Sequence, residues 1–290
     1  MASWEISYNS RHCMARVEQL GAADESALSS LLACDPIRNL HLLGLLKQLR
    51  SKGSSEDKLE VHACRSGDKL TAAVWVDRNR GRILPTAGGK AEDFSAIAEH
   101  LTPTIKLASS VGDKSAVEPL ERALANGRAR LRYLHRLFWV VPDQLGPYLQ
   151  SRLRSANEDD LPRVLPMAVN AFCEALGVEP DANGLELLKQ RVEQNVRAGQ
   201  TYVHELDGTL VFKADVAWKS SDGAEITGVY TAPNYRRRGL ATLALGQLSR
   251  QLLASLPRVT LRADETLAKV ARRVGYQCGP VVQLLVTDGG

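Results

Sequence analysis

The stretch Ala224 to Ala254, AEITGVYTAPNYRRRGLATLALGQLSRQLLA, constrains this chain more than any other part, because it reads as strand, basic turn and helix in immediate succession. Ile226, Val229 and Thr231 are strand formers, and Pro233-Asn234 ends the strand. From Leu240 onward Leu243, Ala244, Leu248 and Leu252 recur at helical spacing, so the helix begins at the turn. The first N–H groups of a helix have no intrahelical partner and its dipole is positive there. Arg236-Arg237-Arg238-Gly239-Leu240-Ala241 can therefore present backbone donors to a phosphate group, and Gly239, lacking a Cβ, lets the backbone come close.

Spacing separates this turn from other phosphate-binding loops. Neither GxxxxGK[ST] nor GxGxxG is present. The chain instead carries R-x-x-G-x-A at Arg236, Gly239 and Ala241, after Val229-Tyr230-Thr231 and Pro233. This resembles the acetyl-CoA signature of the GNAT superfamily of N-acetyltransferases, [RQ]xxGx[GA]. The flanking order is similar too: a strand pair before it, then a strand, a helix and Gly-Tyr between Val259 and Tyr276. The resemblance implies that the backbone of Val229, Tyr230 and Thr231 pairs with the pantetheine amides. It implies that Arg236, Arg237, Arg238, Gly239, Leu240, Ala241 and Thr242 wrap the pyrophosphate, with Asp264 near where the family often has an Asn for the cofactor arm. The alternative is an ordinary basic loop opening a surface helix.

At 290 residues the chain is long enough for two domains, each with its own core. A hydrophobic content of 44% with 24% charged residues points to a globular protein without membrane spans, and residues 1–20 lack the apolar core of a signal peptide. The expected location is the cytoplasm. Cys13, Cys34, Cys64, Cys173 and Cys278 are odd in number and form no CxxC pair, and the histidines show no HxxxH spacing; no disulfide framework or metal site is expected. A net charge of +4, with three arginines in one turn, favours a small anionic cofactor over nucleic acid.

Apolar periodicity predicts helices over 23–32 and 39–49 in a helix-rich opening, a hairpin of 59–65 and 70–77, a short strand at 82–85 and a helix over 91–101. A strand at 104–111, a helix over 115–125 and a strand at 136–141 close this half. Beyond it, helices to about Leu176 and over 185–198 precede strands 201–206 and 209–217, joined by the hairpin signal Asp207-Gly208. Residues 259–262 and 281–286 read as strands, with a helix over 266–274 between them. The expected fold class is α/β (α+β): two GNAT-like domains, each a mixed, mostly antiparallel sheet flanked by helices. The boundaries expected are 1–145, a linker at 146–155 and 156–290. Where the first half should have a basic loop it has only Thr86-Ala87-Gly88-Gly89-Lys90, so that half is expected to be non-catalytic.

The resemblance implies acetyl transfer from acetyl-CoA to a primary amine of a small molecule or a protein lysine; the alternative function is a CoA-binding sensor or scaffold. An amine protonated at neutral pH needs a base. Glu225 stands fourteen residues before Gly239, an offset similar to the general-base glutamate of the histone-acetyltransferase branch. Simple alternation puts Glu225, Thr227, Val229 and Thr231 on one strand face. The competing reading for Glu225 is an exposed residue at a strand start. Asp215 and His204 are reserve bases, and Tyr230 can hold the cofactor or supply a proton. Many superfamily enzymes place a tyrosine acid four residues before the terminal Gly-aromatic glycine; here that position is Ala271.

Overall fold

The structure, a computed structural model, describes residues 16–52, 59–125, 127–147 and 152–287; Cys13 lies outside them. In chain order they form β1 (Arg16–Gln19), α1 (Glu25–Ala33), α2 (Leu40–Lys52), β2 (Leu59–Ser66), β3 (Lys69–Asp77), β4 (Arg82–Pro85), α3 (Ala91–Leu101), β5 (Ser109–Asp113), α4 (Lys114–Leu124) and β6 (Ala129–Val140). There follow β7 (Leu153–Ser155), α5 (Leu161–Leu176), α6 (Ala182–Arg197), β8 (Thr201–Leu206), β9 (Thr209–Ser220), β10 (Gly223–Thr231), α7 (Leu240–Leu253), β11 (Val259–Ala263), α8 (Glu265–Val274) and β12 (Gln277–Thr287). The fold is mixed α/β with a mostly antiparallel sheet: β4–β5 and β10–β11 are its parallel pairs.

All twelve strands join one sheet in the order β1-β2-β3-β4-β5-β12-β6-β11-β10-β9-β8-β7. The two halves of the sequence interleave at its centre. The last strand, β12, lies between β5 and β6, and β6 pairs on its other side with β11. Each half thus lends a strand to the other, and Leu285 of β12 is fully buried among Val74, Phe94 and Leu120 of the first half. Within the expected linker, residues 153–155 form edge strand β7 against β8.

Helices cover both faces. On one, α7 and α8 bury Leu245, Leu248 and Ala271 against Phe138, Phe212, Ile226 and Leu261. On the other, α5 and α6 bury Val164 and Val192 against Val203 and Tyr230, while α1 and α2 bury Leu32 and Leu42 against Trp75, with Trp218 of β9 packed alongside. Burial of this kind contributes about 1.5–3 kcal/mol for each large aliphatic or aromatic side chain.

Among the differences from the sequence reading, three have a plain local cause. Arg16–Gln19, read as part of a helix-rich opening, is a strand, because four residues carry no helical period and pairing with β2 plus the Glu18–Arg65 ion pair (2.5 Å) fixes them. The strand expected from Thr104 begins at Ser109, since residues after α3 turn back through the Thr104 N–H bond to Leu101 O (2.9 Å). β6 starts at Ala129, not Arg136; arginines at 130 and 132 disguise a strand whose pairing comes from β12.

Asp160 anchors the start of α5. Its buried carboxylate accepts from both Arg154 terminal nitrogens (2.6 and 3.0 Å), from Arg163 (2.5 Å) and from the Asn157 N–H (2.9 Å), closing a capping box. The Arg154 hydrogen bonds hold its pKa well below the usual carboxylate range. Because the folded pKa is depressed, this stabilisation is complete above the unfolded aspartate value and fades as pH falls below it. Asp160→Ala is expected to cost about 2 kcal/mol, since it removes the acceptor shared by the Asn157 N–H, Arg154 and Arg163, while Glu205 still faces both guanidinium groups. Urea unfolding at pH 7 measures it, and a loss under about 1 kcal/mol would show that solvent replaces the carboxylate.

Candidate active site

The site is built where two parallel strands part. β10 and β11 pair only at Ala224–Val259, Glu225–Thr260 and Ile226–Leu261, and then separate, with β10 continuing to Thr231. On its other side β10 pairs Thr227 with Asp215 and next Tyr230 with Lys213, leaving Gly228 and Val229 in a bulge. Gly228 has φ +56°, and a Cβ there would stand 2.6 Å from Asp215 Oδ2 and 3.0 Å from Lys213 Nζ, so glycine is required on both counts.

The bulge corrects the expected alternation. Val229 packs toward α7 and α8, whereas Tyr230 is buried under α5 and α6, so Glu225, Thr227, Val229 and Thr231 do not share one face. One inserted residue reverses every side chain beyond it.

Beneath the bulge lies a buried ion pair, of which the sequence reading named only Asp215, as a reserve base. Lys213 Nζ donates to Asp215 Oδ2 and, at 3.4 Å, to the Gly228 carbonyl; Asp215 Oδ1 accepts from Thr201 Oγ1 (2.8 Å). The signal was present: Lys213 and Asp215 are two apart inside the apolar run 210–217, which puts both on one face of a buried strand. Around this floor opens a cleft of about 480 Å³. Its walls include Phe172 and Arg191 from the α5–α6 side, Arg262 and Asp264 from β11 and the turn after it, and Val111 and His135 from the first half of the chain.

At the far end of β10 stands the basic turn. Gly239 is the N-terminal cap of α7 with φ +78°, no side chain caps the helix, and no acidic residue lies in its first turn. The first bond into the helix runs from the Leu243 N–H to Gly239 O (3.1 Å), so the N–H groups of Leu240, Ala241 and Thr242 have no intrahelical acceptor. A Cβ built on Gly239 meets nothing within 4 Å; the space above the turn is open. The three arginines divide their work. Arg236 donates to Thr231 O (2.9 Å) and to both Glu174 oxygens (2.6 and 2.9 Å) and lies over the Tyr230 ring, tying the turn to α5. Arg238 lies over Tyr235 at 5.3 Å, and Arg237 is exposed in a left-handed conformation, φ +61°.

The corresponding turn of the first half is filled by the protein. Between β4 and α3 the Ala87 N–H donates to Asn39 Oδ1 (2.8 Å), a Cβ on Gly89 would lie 2.8 Å from Ala72 Cβ, and Glu92 and Asp93 occupy the first helical turn. One backbone donor of the turn is used, and two carboxylates in the first helical turn oppose an anion.

The remaining expected site residues are placed as follows. Glu225 is buried, accepts from Arg262 Nε (2.8 Å), and borders a second, smaller cavity with Arg38, His41, Asp113 and Thr260; it is not among the residues lining the large cleft. Arg262 is common to both cavities. His41 is pushed down to about 4 by burial, so it is neutral beside this pair. Asp264 lines the cleft and caps α8 through the Leu267 N–H (2.8 Å). His204 is buried away from the cleft lining, with its pKa lowered by burial. Ala271 is fully buried in the core, and the nearby Tyr276 hydroxyl is bound to Ser249 (2.7 Å) with its pKa raised by burial, so it does not replace the missing phenol. Among the described residues there is no cluster of three or more metal-ligating side chains, and no helix is long and apolar enough to cross a membrane.

A splayed parallel pair with a bulge on one strand and an uncapped, basic helix start at its open end makes a cleft suited to an anion within a mixed α/β fold. Residues 169–276 match the model of the acetyltransferase (GNAT) family. The fold is similar to that of a GNAT-family acetyltransferase from Colwellia psychrerythraea (TM-score 0.56, 11% identity, covering 94% of this chain and 100% of that one). It is also similar to a GCN5-related N-acetyltransferase from Sphaerobacter thermophilus (TM-score 0.57, 14% identity, 95% and 97% covered). A third likeness is to a tandem GNAT protein from the clavulanic acid biosynthesis pathway (TM-score 0.50, 12% identity, 95% and 99% covered). No curated protein sequence matches the chain.

Proposed function

We propose that the protein transfers an acetyl group from acetyl-CoA to a primary amine, carried by a small molecule or a protein lysine. The observation that carries this reading is the uncapped start of α7, open above Gly239, at the parting end of β10 and β11. The backbone of Val229, Tyr230 and Thr231 would hold the pantetheine arm, the N–H groups of Leu240, Ala241 and Thr242 with Arg237 and Arg238 the diphosphate, and Asp264 the arm's inner end. Bound there, the donor supplies an acyl carbon activated by a thiolate leaving group. Backbone N–H groups at the bulge are suited to stabilising charge on the acyl oxygen, and Tyr230 lines the same cleft as a group able to give a proton. The first half, residues 1–145, enters without a cofactor-binding turn of its own, with 156–290 as the cofactor-binding part. Cytoplasmic residence belongs to the same proposal.

Glu225 is assigned a holding role, because a carboxylate already bound to a guanidinium is a poor proton acceptor. Glu225→Gln keeps an oxygen for Arg262, and kcat/KM is expected to change less than about 10-fold, whereas loss of a general base costs roughly 10²–10⁴-fold. Rates across pH 5.5–9 separate the two.

A second reading, a CoA sensor without turnover, is favoured by one observation: Ala271 stands buried where the resembled enzymes have a tyrosine. Calorimetry with acetyl-CoA followed by a thiol-release assay over a panel of amines decides between them. Binding together with thiol release supports the transferase; binding with no release on any amine supports the sensor; no binding removes both.

A further inference from the structure

The cleft lies where the halves interleave, and one of its titratable walls comes from the half that lacks a cofactor turn. His135 sits in β6, paired with Val282 of β12, and lines both the large cleft and an adjoining opening of about 380 Å³ on the other side of Asp264. Resting on the acyltransferase reading, we propose that His135 is the general base that takes the proton from the acceptor amine, so that the first half of the chain supplies a catalytic residue to the second.

Each carboxylate that lines the cleft already accepts a hydrogen bond. Asp215 is held by Lys213 and Thr201, both Glu174 oxygens are taken by Arg236, and Asp264 accepts from the Leu267 N–H. His135 has no hydrogen-bond or ion-pair partner among the described residues, and it is only half-buried, so its ring can be reached. The charges that face it are Arg262 of β11 and Asp264. The Lys213–Asp215 pair lines the same cleft, and Arg136, Glu265, Lys269 and Arg272 line the adjoining opening. Burial first, and then Arg262, lower its pKa below the ordinary 6.5, with Asp264 opposing them. The imidazole is therefore neutral at pH 7 and carries a free lone pair.

The step balances without a further reactant. An alkylammonium acceptor gives one proton to the imidazole, and its freed lone pair forms the nitrogen–carbon bond. The carbon–sulfur bond breaks, its electron pair leaves on sulfur, and the second proton lost from nitrogen ends on the thiolate. The imidazolium returns its proton to water.

His135→Asn and His135→Gln test the assignment on the full chain, with acetyl-CoA and two acceptor types: alkylamines, which are protonated at neutral pH, and aryl amines, which are not. Both variants are expected to keep acetyl-CoA affinity within about twofold by calorimetry and to lose about 10²–10³-fold in kcat/KM on the alkylamine. In the wild type the alkylamine rate should level off above the lowered imidazole pKa; in the variants, where only the free amine can react, it should go on rising about tenfold per pH unit through neutrality, and the aryl amine should lose less than about tenfold because it brings no proton that must first be removed. A plateau that persists in the variants, or equal losses on both amines, overturns the base role and leaves the acyltransferase reading intact. Binding of acetyl-CoA with no thiol release by the wild type on any amine overturns both.

Discussion

Gly239→Glu is expected to abolish measurable acetyl-CoA binding, a loss of at least about 10³-fold in affinity. A carboxylate about 4 Å from a diphosphate charge costs on the order of 4 kcal/mol at an effective dielectric near 20, and each 1.4 kcal/mol is a factor of ten. The left-handed φ of +78° adds strain of roughly 1–2 kcal/mol for any residue with a Cβ. These two contributions can be separated, because a Cβ at Gly239 meets no protein atom within 4 Å. Gly239→Ala carries the strain without the charge and should weaken binding by no more than about tenfold. Isothermal calorimetry on both variants supplies the comparison. If the glutamate variant binds acetyl-CoA as tightly as the alanine one, the phosphates do not sit at this turn.

Lys213→Met is expected to have the largest effect on stability, about 3–5 kcal/mol, because it leaves the Asp215 carboxylate buried without its cation. The loss should appear as a fall of about 10 °C in melting temperature for a chain of this size. Replacing both members, Lys213→Met with Asp215→Leu, removes the uncompensated charge and should recover most of the stability. It should not recover the site. The ammonium also donates to the Gly228 carbonyl, and without it one backbone group of the bulge loses its partner. The double variant is therefore expected to be folded but weakened in acetyl-CoA binding by about tenfold or more, near the worth of a charge-assisted hydrogen bond. A single variant within about 1 kcal/mol of wild type would mean that the pair is not the foundation of the bulge.

The basic turn was legible in the sequence because its signals are local. Ile226 to Thr231, Pro233, Arg236 and Gly239 lie within fourteen residues, and each acts on its own neighbours, by β-propensity, a fixed φ or a missing Cβ. The hairpin at Asp207-Gly208 and the helices α3, α7 and α8 were legible for the same reason. Alternation failed at Val229 because a bulge depends on what the partner strand offers: Lys213 and Asp215 occupy the space a regular strand would need. His135 was hidden among Arg130, Arg132 and Arg136, in a segment whose strand character comes from a partner about 150 residues away.

By itself, then, the sequence determined the strand, the basic turn and the helix that follow one another over 224–254, and it left the turn at 86–90 without an arginine. Those signals, β-propensity, a fixed φ and a missing Cβ, act between neighbouring residues. Only the tertiary structure decided that β12 would lie between β5 and β6, that Glu225 would be bound by Arg262, and that a histidine of the first half would face the cleft of the second. Those outcomes depend on strand pairing across long loops. The burial and hydrogen bonding that select one pairing over another are settled between residues far apart in the chain.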